Sequence, residues 1–398
     1  MRYAPNSFSV GILMFFALVT FKKSNFKFET RLLLPIILFA LMALSLCWSR
    51  DFESSLRALD KGLPLVLIPL SFLLLPAISK EQKRQVIGWY SYGMLLYTIF
   101  YIVRAAVKYQ LTADSSVFFY HGLVTEDTNA IHVSAYIAVA AFYFITKPTK
   151  TIYDKAVIVW LTLFLLLLSS KNVIIVYFLL FAFYYFSQYL TLRKIKPIQI
   201  LVLICALLAI LSISKIRDRF MIEYQSNTVE GSVNNELGRV DAKVYNISAR
   251  QAWTQENFQP NDYFAGTAFR VYQIRIFMEM LHEDPIFFTG YGLNASTFKI
   301  IEKRKEHNLF EGYDEKNFHN EYVQLFAELG IFGFILAIVI VIINLKSAIK
   351  NKDFIHISFA VLMISLFLTE SFLSRQRGII FFTIMYCLFN SGIAPTKE

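Results

Sequence analysis

Charge is scarce in this chain. Only 17% of its 398 residues are Asp, Glu, Lys or Arg, against about 25% in a soluble globular protein. With 56% hydrophobic residues and a mean hydropathy of +0.49, that shortage excludes an ordinary soluble domain. Cysteine is nearly absent as well. Cys47, Cys205 and Cys387 all stand inside apolar runs, with no CxxC and no His/Cys metal spacing, so they read as small packing residues. No D-x-D motif, metal-ligand cluster or internal repeat is visible, and no cofactor is expected. The first twenty residues loosely resemble a signal peptide. Phe21-Lys22-Lys23 stands where a small-residue cleavage site belongs, so the stretch is read as a retained span. The net charge of +10 could suit nucleic acid, but the basic residues sit in short loops between apolar runs, as the positive-inside rule requires. Membrane lipids, and no nucleic acid, are the expected surroundings.

What the chain has in abundance is long apolar runs. At roughly 20 residues per bilayer crossing, loosely applied, spans are expected at 8–21, 31–49, 62–79, 85–107, 129–146, 154–170, 172–187, 197–213, 321–345, 355–373 and 378–392. The fold class is an all-α polytopic membrane protein of about 11 (10–12) transmembrane helices. Lysines and arginines gather in Phe21–Arg31, Lys80–Arg84, Lys147–Lys155, Leu192–Pro197 and Lys346–Lys352. These are alternate loops, which puts them inside, the N-terminus outside and the C-terminus inside; a missed first span would put both termini inside. The other loops then lie outside, among them the tight turn Ser169-Ser170-Lys171-Asn172 and the long segment from Ser214 to Phe318. A segment that long needs structure of its own. The expected division is an N-terminal bundle over 1–213, a large, mainly helical loop domain over 214–319 and C-terminal helices over 320–398.

Within the loop domain, FRVYQIRIFMEML (269–281) has helical amphipathy, with Val271, Ile274, Phe277, Met278 and Leu281 on one stripe. Pro285 ends it, and Gly290 and Gly292 allow a tight turn. The next helix opens as NFHNEYVQLFAELGIFGF (317–334), polar at its mouth and apolar beyond. His319 there suits a general base, since an imidazole changes charge near neutrality. It could equally cap the helix together with Asn320. Arg270 can hold two phosphate oxygens at once, or can anchor to headgroups or pair with Asp262. Lys171, at a span end, can snorkel or bind an anion as a point charge. Glu370 is an intramembrane acid, a site residue or a structural partner of Arg375 and Arg377. Gln324 and Glu328 follow Asn320 on one helix stripe, where they could orient His319 or line a watery crevice. Gly330 and Gly333 read as allowing close helix packing.

Arg270 on its helix, Asp284-Pro285, Gly290-Tyr291-Gly292 and then His319-Asn320-x-Tyr322, with Leu325, Glu328, Gly330 and Gly333 downstream, resemble the O-antigen ligase and O-antigen polymerase family of bacterial inner-membrane glycosyltransferases. The contiguous match runs from about Arg270 to Phe334. LLLLSSKNV (165–173) resembles the family's S-R-G element, with Lys171 in place of Arg and Asn172 in place of Gly. TESFLSRQRGIIFF (369–382) resembles the penultimate loop.

The resemblance implies a multi-pass protein of the bacterial inner membrane with its active site facing the periplasm. It implies transfer of a glycan from undecaprenyl pyrophosphate to an acceptor hydroxyl, either on lipid A–core or on a second carrier-linked glycan. His319 would be the base, and Arg270 and Lys171 would hold the pyrophosphate without metal. Ligation is the first expectation, and repeat-unit polymerisation by the same chemistry is the alternative. A polysaccharide-lipid transporter is a more remote one, since repeats and midplane polar sites mark that class.

Overall fold

The computed structural model describes residues 4–23, 26, 28–192, 214–234, 237, 243–313 and 316–392. The expected span at 197–213, the basic loop before it and Cys205 lie outside the described residues. Among the described residues, the apolar runs become helices. The first part of the chain forms α1 (Ala4–Val19), α2 (Thr30–Leu44), α3 (Phe52–Gly62), α4 (Pro64–Leu74), α5 (Lys80–Thr112), α6 (Tyr120–Leu123), α7 (Ala130–Ile145), α8 (Ile152–Leu167) and α9 (Lys171–Leu192). The loop segment follows with α10 (Ser214–Thr228), β1 (Tyr245–Ile247), α11 (Ala249–Thr254), β2 (Asp262–Phe264), α12 (Gly266–Glu283) and α13 (Thr297–Glu306). The chain closes with α14 (Glu321–Asn351), α15 (Phe354–Phe367) and α16 (Gln376–Asn390). Among the described residues, Thr30–Cys47, α5 and α14 are long and apolar enough to cross a bilayer. Shorter apolar helices include α7 and α15.

Local chemistry sets the helix ends. Ser79 and Thr151 form capping boxes with Gln82 and Asp154, which satisfy two of the free N–H groups at each helix start. Asn129 and Asp353 cap α7 and α15 with their side chains. Among the described residues, two of the lysine-rich loops meet each other and a third meets the C-terminal end of the chain's described part. Arg31 Nη1 donates to Ser347 Oγ at 3.1 Å and Lys83 Nζ to the Ser391 carbonyl at 2.7 Å. Behind them, His356 Nε2 and Asn390 Nδ2 converge on Asn344 Oδ1 at 2.8 and 2.9 Å.

Buried apolar side chains fall into two clusters. One fills the bundle, with Tyr101, Phe142, Phe164, Phe359 and Tyr386 at its heart. The other belongs mainly to the loop segment and gathers Phe258, Phe264, Tyr272, Ile276, Met280, Tyr291 and Phe318. The two three-residue strands pair in parallel, and the rest of that segment's described regular structure is helical. The buried face of α12 differs from the stripe read from sequence. Ala268, Phe269, Tyr272, Gln273, Ile276, Phe277 and Met280 are buried, whereas Met278 is exposed and Val271 and Ile274 line a cavity. Aromatic packing against Phe258, Phe264 and Tyr313 turns the ring-bearing face inward and leaves part of the aliphatic stripe for the cavity.

One more feature departs from the sequence reading. α14 is broken at Gly330, which has φ 67° and ψ −165°, a conformation open almost only to glycine. The 286–292 turn crosses α14 there. Ile331 N–H donates to the Phe287 carbonyl at 2.8 Å, while Tyr291 and Gly292 N–H donate to the Ala327 and Glu328 carbonyls at 2.9 Å each. A Cβ on Gly330 would overlap the Phe288 carbonyl, and one on Gly290 would overlap that of Glu328. Gly330 therefore admits a loop backbone, not a neighbouring helix.

Candidate active site

A cavity of about 1020 Å³ opens where the loops assigned to the outside meet. Its wall comes from the 169–172 turn, from α10, from the start of α12, and from His319 and the Thr369-Glu370 corner. Lys171, Arg270, His319 and Glu370 all line it. Gln324 and Glu328 do not.

His319 stands two residues before α14 with φ 48°, a left-handed turn uncommon outside glycine. Three contacts hold it there. Its N–H donates to Asn317 Oδ1 at 3.1 Å. The preceding Phe318 N–H donates to Gln324 Oε1 at 3.3 Å. Gln273 of α12 donates to the Asn317 carbonyl at 2.8 Å. Asn320 then caps the helix by accepting Val323 N–H at 3.1 Å. So Asn320 is the cap, which leaves His319 free to aim its ring into the cavity. The imidazole meets the Phe269 ring edge-on, centroids 5.8 Å apart. Its Nδ1 lies 3.3 Å from Glu370 Oε2. Glu370 is buried and faces His319 rather than Arg375 or Arg377. Arg377 is turned away, donating to the Asp127 carbonyl at 3.2 Å.

Arg270 sits one turn into α12. Its Nε donates to the Thr369 carbonyl at 2.7 Å and its Nη1 to the Gly266 carbonyl at 2.9 Å. These carbonyls, not Asp262, fix the guanidinium. Asn172 ties the opposite wall to the same corner. Its Nδ2 donates to Thr369 Oγ1 at 2.6 Å and to the Ser365 carbonyl at 2.9 Å, and its Oδ1 accepts Ser365 Oγ at 2.5 Å. Thr369 thus joins the Lys171 turn, Arg270 and the Glu370–His319 pair through two hydrogen bonds and one peptide bond.

Gln324 links two of these parts from behind, because its Oε1 also accepts Ser371 Oγ at 3.3 Å, next to Glu370. Its amide donates to the buried Glu328 carboxylate. Gln324 and Glu328 support the wall and do not form it.

Sequence reasoning missed Glu223, on α10. One of its oxygens forms an ion pair with Lys171, and the other accepts Thr267 N–H at 2.6 Å. Burial would raise its pKa, but Lys171 and the Thr267 donors outweigh that and hold it below the usual glutamate range. Two acids five residues apart in a polar helix, Asp218 and Glu223, offer no spacing signal, so only the tertiary fold reveals Glu223.

These features define a class: a helical multi-pass membrane protein with a largely apolar cavity, lined by Lys171 and Arg270, where the loops assigned to the outside meet. Residues 156–338 match the protein-family model for O-antigen ligase. That stretch is similar to the family, and it contains Lys171, Arg270 and His319. No curated protein matches the chain. The family's activity is O-antigen ligation or a related glycan transfer, with a lipid-linked glycan and, in general, lipid A–core as partners.

Proposed function

We propose that this protein transfers a glycan from undecaprenyl pyrophosphate to a hydroxyl of lipid A–core at the periplasmic face of the inner membrane. The observation that carries the reading is the meeting of His319, Arg270 and Lys171 in one cavity, although 99 and 49 residues separate them along the chain. In the transfer, the acceptor oxygen forms a bond to the anomeric carbon as the bond from that carbon to the pyrophosphate oxygen breaks. The hydroxyl proton goes to His319. Glu370 facing Nδ1 leaves Nε2 to take it and stabilises the imidazolium that results. The pyrophosphate leaves with its electron pair, and Arg270 and Lys171 neutralise the charge. Cations held in place by their neighbours do this without reorganising. The three expected parts of the chain divide the work. The 1–213 bundle supplies Lys171, the 214–319 loop domain supplies Arg270 and His319, and the 320–398 helices supply Glu370 and the Asn320, Gln324 and Glu328 supports.

Surface-polysaccharide profiles of a deletion strain test this. Complementation uses wild type or His319→Ala at matched expression. Unsubstituted lipid A–core with long carrier-linked polymer accumulating is the expected result for the deletion and for His319→Ala. Loss of long chains with single repeats still joined to core would replace ligation by polymerisation. A full wild-type profile with His319→Ala would overturn the catalytic assignment.

A further inference from the structure

The cavity holds two carboxylates, Glu223 and Glu370. Glu370 is engaged with His319, and Glu223 lies among the cations. A single point, where a Cβ would sit on Gly266, is 3.1 Å from Arg270 Nη1, 3.6 Å from Glu223 Oε2 and 4.0 Å from Lys171 Nζ. Arg270 Nη1 and Lys171 Nζ are therefore within about 7 Å of each other, and Glu223 Oε2, paired with Lys171, is within about 7 Å of Arg270 Nη1. The other carboxylate oxygen takes a backbone N–H of α12. A phosphoryl group bridging a lysine and a main-chain N–H would make the same contacts.

We infer that Glu223 is the resident anion of the pyrophosphate seat: it fills the seat when no donor is bound, yields to the donor, and returns as the lipid pyrophosphate leaves. The inference rests on the reading of Lys171 and Arg270 as pyrophosphate holders. Two consequences follow from competition by a tethered group. An intramolecular carboxylate competes at an effective concentration in the millimolar range or above, so every anion binds more weakly by one common factor. Free phosphate and lipid headgroups then occupy the seat poorly, while a donor that also binds through its glycan and lipid still enters. Product release gains by the same factor, because Lys171 has a replacement partner at hand. Glu223 is thus a positioning residue, acting through Lys171.

The test uses the purified full-length protein in lipid nanodiscs and inorganic pyrophosphate as the probe, with binding followed by calorimetry. Glu223→Gln keeps an oxygen for Thr267 N–H and removes the charge. It is expected to tighten pyrophosphate binding about fivefold, the scale of a partly exposed ion pair. A merely structural role, holding Lys171 in place, would give weaker binding, and weaker or unchanged binding overturns the inference. Lys171→Ala and Arg270→Ala are expected to weaken binding. If neither does, the pyrophosphate reading itself fails; if both do while Glu223→Gln does not tighten binding, only the role of Glu223 fails. Hydrogen exchange on the wild-type protein supplies a second readout that needs no variant. Saturating pyrophosphate is expected to raise exchange in the 217–228 peptide as Glu223 is displaced, and unchanged exchange contradicts the displacement.

Discussion

Gly330→Ala is the substitution on which the geometry makes its sharpest demand. The native φ and ψ at Gly330 would cost a side chain about 1–3 kcal/mol. The added Cβ would also stand 2.7 Å from Thr289 N and overlap the Phe288 carbonyl. Backbone cannot swing aside as a side chain can, so the turn and the helix must separate. Separation forfeits the three hydrogen bonds between the 286–292 turn and α14, each contributing about 1 kcal/mol. The expected destabilisation is about 4–6 kcal/mol. In a fluorescence melt of detergent-purified protein, that corresponds to a fall of roughly 10 °C. Gly93→Ala is the control, since a Cβ there meets nothing within 4 Å. Alanine in that helix should be neutral or slightly stabilising. Because α14 carries Asn320 and the Gln324 support of the His319 turn, Gly330→Ala should also depress transfer. A melt unchanged from wild type would refute the proposed loop–helix clasp.

Other outcomes follow from the same contacts. Glu370→Gln retains shape but removes the charge facing His319; glycan-transfer rate should fall about 10–100-fold with the melt unchanged, a scale below the full effect of a general base. Asn172→Ala removes the bonds from the Lys171 turn to Thr369 and Ser365; it should destabilise by about 1–3 kcal/mol in the same melt and weaken donor binding. Burial works against ionisation of Glu283, but Lys303 and Lys299 outweigh it and hold its pKa below the ordinary value. Its stabilisation is therefore present above the ordinary glutamate pKa of about 4.3 and is lost as pH falls through the lower folded value. Acid melts should show this loss, and Glu283→Gln should reduce the acid dependence.

The membrane class was legible because long apolar runs report directly on bilayer crossing. His319 and Arg270 stood out by sequence context, a histidine at the mouth of an apolar helix and an arginine on an amphipathic one. Lys171 was harder, since any lysine at a span end has a reason to be there. What stayed hidden was tertiary. The break at Gly330 depends on a turn from elsewhere filling the space, so the glycine looked like a helix-packing residue. The true buried face of α12 is set by aromatic partners distant in sequence, such as Phe258 and Tyr313. Arg270 finds carbonyls rather than Asp262, and Glu370 finds His319 rather than its arginine neighbours. Hydrogen-bond partners at a chain separation of 51 residues, as for His319 and Glu370, leave no periodicity to read.

Reconstitution tests the central claim most directly. Purified protein in proteoliposomes would receive an undecaprenyl-pyrophosphate-linked glycan and lipid A–core, and both glycosylated lipid A–core and released carrier would be quantified. Wild type is expected to form them in equal amounts. His319→Ala is expected to lose about 10²–10⁴-fold of the rate, the range for a general base, while still binding donor. Undiminished transfer by His319→Ala, or donor binding indifferent to Arg270→Ala and Lys171→Ala together, would contradict the account.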